Sequence, residues 1–137
     1  MKNNWKETLK CYENEQFWIG YLDDMDLEIN IQGTAEEISQ KHLLLVDKFF
    51  QDFETINQTA LERLYQTLPA LKAEKLRLLT IHSYHDSRPI TAYAACFMLT
   101  YCYVDDYDSL GDYVPVVRYT VKCMENFRPI AVEDWFV

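Results

Sequence analysis

The chain has 137 residues, of which 49% are hydrophobic, 26% charged and 15% aromatic, enough apolar material for a single domain spanning 1–137 around one core. Three glycines and four prolines exclude collagen-like, linker-dominated and low-complexity readings and count against a glycine-rich phosphate loop. Thirteen basic side chains against 22 acidic ones give a formal net charge of -9, which repels a polyphosphate backbone, so no nucleic-acid ligand is expected.

The first nine residues are polar, carry Lys2, Lys6 and Glu7, and lack the apolar stretch of a secretory signal. Apolar runs such as 43–46 fall far short of the roughly 20 residues that span a bilayer, so the expectation is a cytoplasmic protein without a membrane partner. Residues 17–22 are aromatic and β-branched, and in 27–32 Leu27, Ile29 and Ile31 alternate with Glu28, Asn30 and Gln32. That pattern predicts a hairpin with one wet face, turned by the acidic run Asp23-Asp24-Met25-Asp26. Thr34 and Glu37 have the spacing of a capping box and predict a helix over 35–51, with Ile38, Leu45, Val46 and Phe49 on its apolar stripe. Thr55 and Gln58 repeat the signal and predict a second helix over 56–68, stopped by Pro69. Period two returns in 76–84, 92–104 and 114–124, and after the tight connection Glu125-Asn126-Phe127 a short strand is expected over 130–132. The class is therefore α+β: an N-terminal β-hairpin and two central helices packed on a mainly antiparallel sheet built mostly from residues after Leu76.

No catalytic signature stands out, and the expectation is a non-enzyme without cofactor or metal. Cys11, Cys96, Cys102 and Cys123 form no CxxC pair and read as reduced, mostly buried thiols. Cys96 and Cys102, six apart on one strand, would sit about 20 Å from each other, far beyond disulfide reach. A thiolate nucleophile is disfavoured in so apolar a stretch, and Ser39, Ser83, Ser87 and Ser109 lack a G-x-S-x-G context. His82, His85 and Asp86 suggest a metal-dependent hydrolase as the alternative function, but residues three apart on a strand face opposite ways and the remaining ligands are missing. His42, on the apolar stripe of the first helix, reads as a satisfied buried histidine. Asp105, Asp106, Asp108 and Asp112 do not form a calcium loop, because the fifth and twelfth positions counted from Asp106 are Leu110 and Val117.

The same segment reads better as a recognition surface. From Tyr101 to Tyr113 four tyrosines interleave with four aspartates, combining ring area that orders at low entropy cost with acceptors for arginine and lysine. The expected partner-binding residues are Tyr103, Asp105, Asp106, Tyr107, Asp108, Asp112 and Tyr113, with the hairpin carboxylates Asp23, Asp24, Asp26 and Glu28 as the next candidate. Together with the stretches F-W-I-G-Y-L, L-E-I-N-I and H-L-L-L-V-D-K-F-F, these features resemble the small acidic immunity proteins of bacterial contact-dependent and polymorphic toxin systems. The resemblance implies a protein that binds and neutralises a basic toxin domain, by presenting carboxylates where a nuclease would hold phosphate. A subunit that forms homo-oligomers through exposed edge strands is a further reading.

Overall fold

Leu27, Ile29 and Ile31 are fully buried while Glu28, Asn30 and Gln32 between them are half-buried, so the alternation seen in the sequence is the pleat of a real strand. The computed structural model describes residues 5–12, 16–72, 75–85, 96–104 and 117–136. Its strands are β1 (Lys10–Tyr12), β2 (Phe17–Leu22), β3 (Leu27–Gln32), β4 (Leu76–Ser83), β5 (Phe97–Tyr103), β6 (Val117–Cys123) and β7 (Pro129–Phe136). They form one seven-stranded sheet in the order of the chain. Every neighbouring pair is antiparallel except β3 and β4, which run parallel with Glu28 opposite Thr80 and Ile31 opposite Ser83. A parallel pair needs a long crossover, and helices α1 (Gln40–Gln51) and α2 (Phe53–Thr67) supply it. The fold is α+β with a mostly antiparallel sheet, as the sequence implied. The hairpin belongs to that same sheet, however, so three of its seven strands precede the helices.

The core lies between the helix pair and one sheet face. Val46 and Phe49 from α1 and Ile56, Ala60 and Leu64 from α2 meet Ile29, Ile31, Ile81, Leu99 and Val121. Phe49 is its centre, with ring centroids 5.2 Å from Phe97, 5.4 Å from Phe50 and 5.5 Å from Phe53. Two polar bonds fix the helices over the sheet: the buried Tyr101 hydroxyl donates to Asn57 Oδ1 of α2 at 2.6 Å, and His42 of α1 bonds Ser83 of β4.

Helix starts differ from the sequence expectation. Thr34 Oγ1 does accept from the Glu37 amide at 3.1 Å, but the Thr34 amide returns to the Glu37 carbonyl at 2.7 Å and Gly33 bridges Ile38, so the segment closes into a loop rather than a first helical turn. Glycine is required there, because a Cβ on Gly33 would lie 2.8 Å from the Glu37 carbonyl oxygen and from Ile38 Cα. Ser39, extended at φ -67 and ψ 117, is the working cap, and its hydroxyl accepts from the His42 amide. Asp52 alone separates the helices, so α2 begins two residues before Thr55, and Gln58 bonds Glu62 instead of reaching back. The last strand is eight residues long rather than three, and β1 and the 3-10 turn Trp5–Thr8, which buries Trp5 completely, carry no strong periodic signal. Residues 92–95 and 114–116, expected in strands, lie outside the described residues.

Phe49→Ala should lower the free energy of unfolding by about 3–5 kcal/mol in urea titration. Leu44→Ala on the exposed side of the same helix should change it by less than about 0.5 kcal/mol.

Candidate recognition site

Of the seven residues expected to bind a partner, Tyr103 is described. It ends β5 on the helix-packed side of the sheet, half-buried, with its hydroxyl accepting from the Lys72 amide at 3.2 Å and its ring edge-on to Tyr119. Asp105, Asp106, Tyr107, Asp108, Asp112 and Tyr113 lie outside the described residues, as does Asp86 of the alternative metal reading. Tyr101 opens the tyrosine-aspartate pattern in the sequence, yet it is 1% exposed, and burial pushes its hydroxyl far above the usual phenolic range. It is a core anchor.

His82 and His85 do not converge. His82 projects from mid-β4 onto the face that carries no helix, whereas His85 lies beyond the strand end, exposed, with its amide donating to Gln32 Oε1 at 2.5 Å. Among the described residues no three histidine, cysteine, aspartate or glutamate side chains gather closely enough to hold a metal ion. Cys96, Cys102 and Cys123 are buried and Cys11 is half-buried, and all four are outside any disulfide. Cys96 immediately precedes β5, and burial raises its pKa and lifts that of Cys123 to about 12. Such thiols are poor nucleophiles at neutral pH.

One pair escaped the sequence reading. His42 Nδ1 lies 2.9 Å from Ser83 Oγ, the spacing of a base and a nucleophile, but the residues are 4% and 0% exposed. Burial, assisted by the nearby Lys41 and His85, lowers the His42 pKa, so the imidazole is neutral. With no solvent path to Ser83, the pair serves to tie α1 to the end of β4. Its signal was present in two halves, a histidine on an apolar helical stripe and a serine at a core-facing strand position, and only the β3–β4 register joins them.

The face of the sheet opposite the helices carries a run of polar and aromatic side chains. Pairing sets Tyr12 beside Phe17 and Tyr21 beside Glu28, and both tyrosines are about half exposed. The Tyr21 hydroxyl donates to Glu28 Oε1 at 3.1 Å while Asn30 donates to Glu28 Oε2, and the Glu28 carboxylate raises the Tyr21 pKa. Asp23, Asp24 and Asp26 are exposed on the adjoining turn, Asp26 in a left-handed conformation at φ 48 that closes it. Further along the face His82 is wedged between Phe17, edge-on at 4.6 Å, and Tyr84 at 4.7 Å. Lys122 bonds Glu133 at 3.1 Å, and Trp135 donates its indole N–H to Thr120 Oγ1 at 2.9 Å beneath the Arg118 guanidinium.

Compared with known proteins, the chain matches no family model, no curated protein and no solved structure.

Desolvation pushes the His82 pKa down to about 4, against an ordinary value of 6.5. Both states are neutral above pH 6.5, and as pH falls below it the unfolded chain takes up the proton first. Stability should therefore drop by about 3 kcal/mol between pH 6.5 and 4, and His82→Gln should remove that part of the slope in chemical denaturation across the range.

Proposed function

We propose that this protein binds and neutralises a basic bacterial toxin domain, as immunity proteins do, through an acidic and tyrosine-rich surface. The supporting observation is one of register. Arg77, at the start of β4, pairs with Cys102 near the end of β5 and reaches across to the hairpin turn, where its guanidinium donates to the Met25 carbonyl and meets Asp26. The exposed acidic turn and the end of β5 therefore share one end of the sheet. The residues 105–113, with their tyrosines and aspartates, continue in sequence from that point. Tyr21 and Glu28 adjoin the turn on the open face, adding an aromatic anchor and a carboxylate. A cationic partner would be steered toward this end over a range of about 8 Å at physiological salt.

Affinity purification from the source cells, with mass spectrometry, supplies the partner, and purified components then test the surface. Expected results are a basic partner, an association rate that falls as salt rises, and slower association for Asp106→Asn, Asp108→Asn and Asp24→Asn. Tyr107→Ala should chiefly speed dissociation, by the equivalent of about 2 kcal/mol. An acidic partner, or affinity and salt dependence untouched by all four substitutions, overturns the proposal.

A further inference from the structure

The open sheet face holds a cavity of about 320 Å³ whose walls include His82, Tyr84, Met98 and Trp135, with the Lys122–Glu133 ion pair at its side. Three of these walls are flat rings, and two are held in place by neighbours rather than left to rotate. His82 is braced by Phe17 on one side and Tyr84 on the other. Trp135 is fixed through its indole N–H to Thr120, and Arg118 lies over its ring at 5.3 Å. A slot between preset aromatic surfaces favours a planar guest, because stacking then costs little side-chain ordering.

Charge narrows the class further. Lys122 is only 13% exposed and already neutralised by Glu133, so an anionic guest would meet the carboxylate and a cationic one the ammonium and Arg118. An uncharged guest meets neither penalty, and one whose edge carries both donors and acceptors can bond to both members of the pair. The imidazole of His82 forms part of the wall, with its Nε2 buried behind the surface. A volume of this size lies at the low end of the range of small-molecule sites.

We propose that this cavity binds a planar, uncharged nitrogen heterocycle of the nucleobase or nucleoside class, stacked against Trp135 and Tyr84, with its polar edge toward His82 and the Lys122–Glu133 pair. The inference is independent of the toxin-binding proposal, which concerns the hairpin end of the face.

The test is a titration of the whole protein with adenosine, read from the side-chain indole N–H resonances of its three tryptophans. The expected result is a saturable shift of the Trp135 signal with Kd between about 10 µM and 1 mM, while the buried Trp5 signal stays in place. Adenosine monophosphate should bind no more tightly than adenosine. His82→Phe keeps a flat ring and removes the polar edge, and should weaken binding about tenfold. Met98→Trp fills the cavity and should abolish binding while cooperative thermal unfolding is retained. The proposal is overturned by the absence of a saturable shift up to about 10 mM, by much tighter binding of the monophosphate, or by an affinity that both substitutions leave unchanged.

Discussion

The parallel pairing of β3 with β4 is the constraint on which the rest of the structure depends. Without it β1, β2 and β3 would be a separate three-stranded sheet, cut off from the strands that carry the rest of the core. With it, Glu28 to Ile31 lie opposite Thr80 to Ser83, the hairpin joins the four later strands, and a single sheet results. The connection must travel the length of the sheet and return, and α1 and α2 do so over one face, carrying Phe49 to the middle of the core. The helix-covered face and the open face are both consequences of that one crossover.

Much of this was legible in the sequence, and what was not has identifiable causes. Alternation of Leu27, Ile29 and Ile31 was readable because one face of β3 is dry and the other partly wet, the condition under which period two appears. β5 is harder to read, since Thr100 and Cys102 are as buried as Leu99 and Tyr101, which erases the contrast between its faces. The capping signal at Thr34 was real as a hydrogen bond and misleading as a boundary. Threonine and glutamate at that spacing satisfy a tight loop as readily as a helix start, and the bridge from Gly33 to Ile38 decides between them. Strand pairing order is non-local, so neither the parallel step nor the His42–Ser83 contact across 41 residues could be read from periodicity.

The two histidines of the core and the open face show how the same side chain acquires different roles from its surroundings. His42 is desolvated but bonded to Ser83, so its burial is offset and it acts as a fixed link between helix and sheet. His82 is desolvated with its Nε2 unbonded among the described residues, while its ring packs between Phe17 of β2 and Tyr84. A buried polar atom without a partner is the kind of local conflict that is more frequent at functional positions than in ordinary cores. In the sequence His82 was grouped with His85 and Asp86, because adjacency suggested a ligand set. The structure groups it instead with its near neighbour Tyr84 and with Phe17 and Met98 from two other strands.

The open face is also electrostatically uneven, which bears on how one sheet could serve two kinds of partner. Around the cavity it carries Arg118 and Lys122 as well as Glu133, with Lys122 and Glu133 joined and Arg118 stacked on Trp135, so local fields there largely cancel. The hairpin turn is different: three exposed aspartates stand close together, and Arg77 engages Asp26. Long-range attraction of a basic protein should therefore originate at the turn and not over the cavity. Short-range stacking, which is insensitive to salt, should dominate at the cavity. Salt dependence would thus separate the two proposed surfaces: rising ionic strength should slow capture of a cationic protein at the turn and leave the affinity of an uncharged heterocycle for the cavity nearly constant.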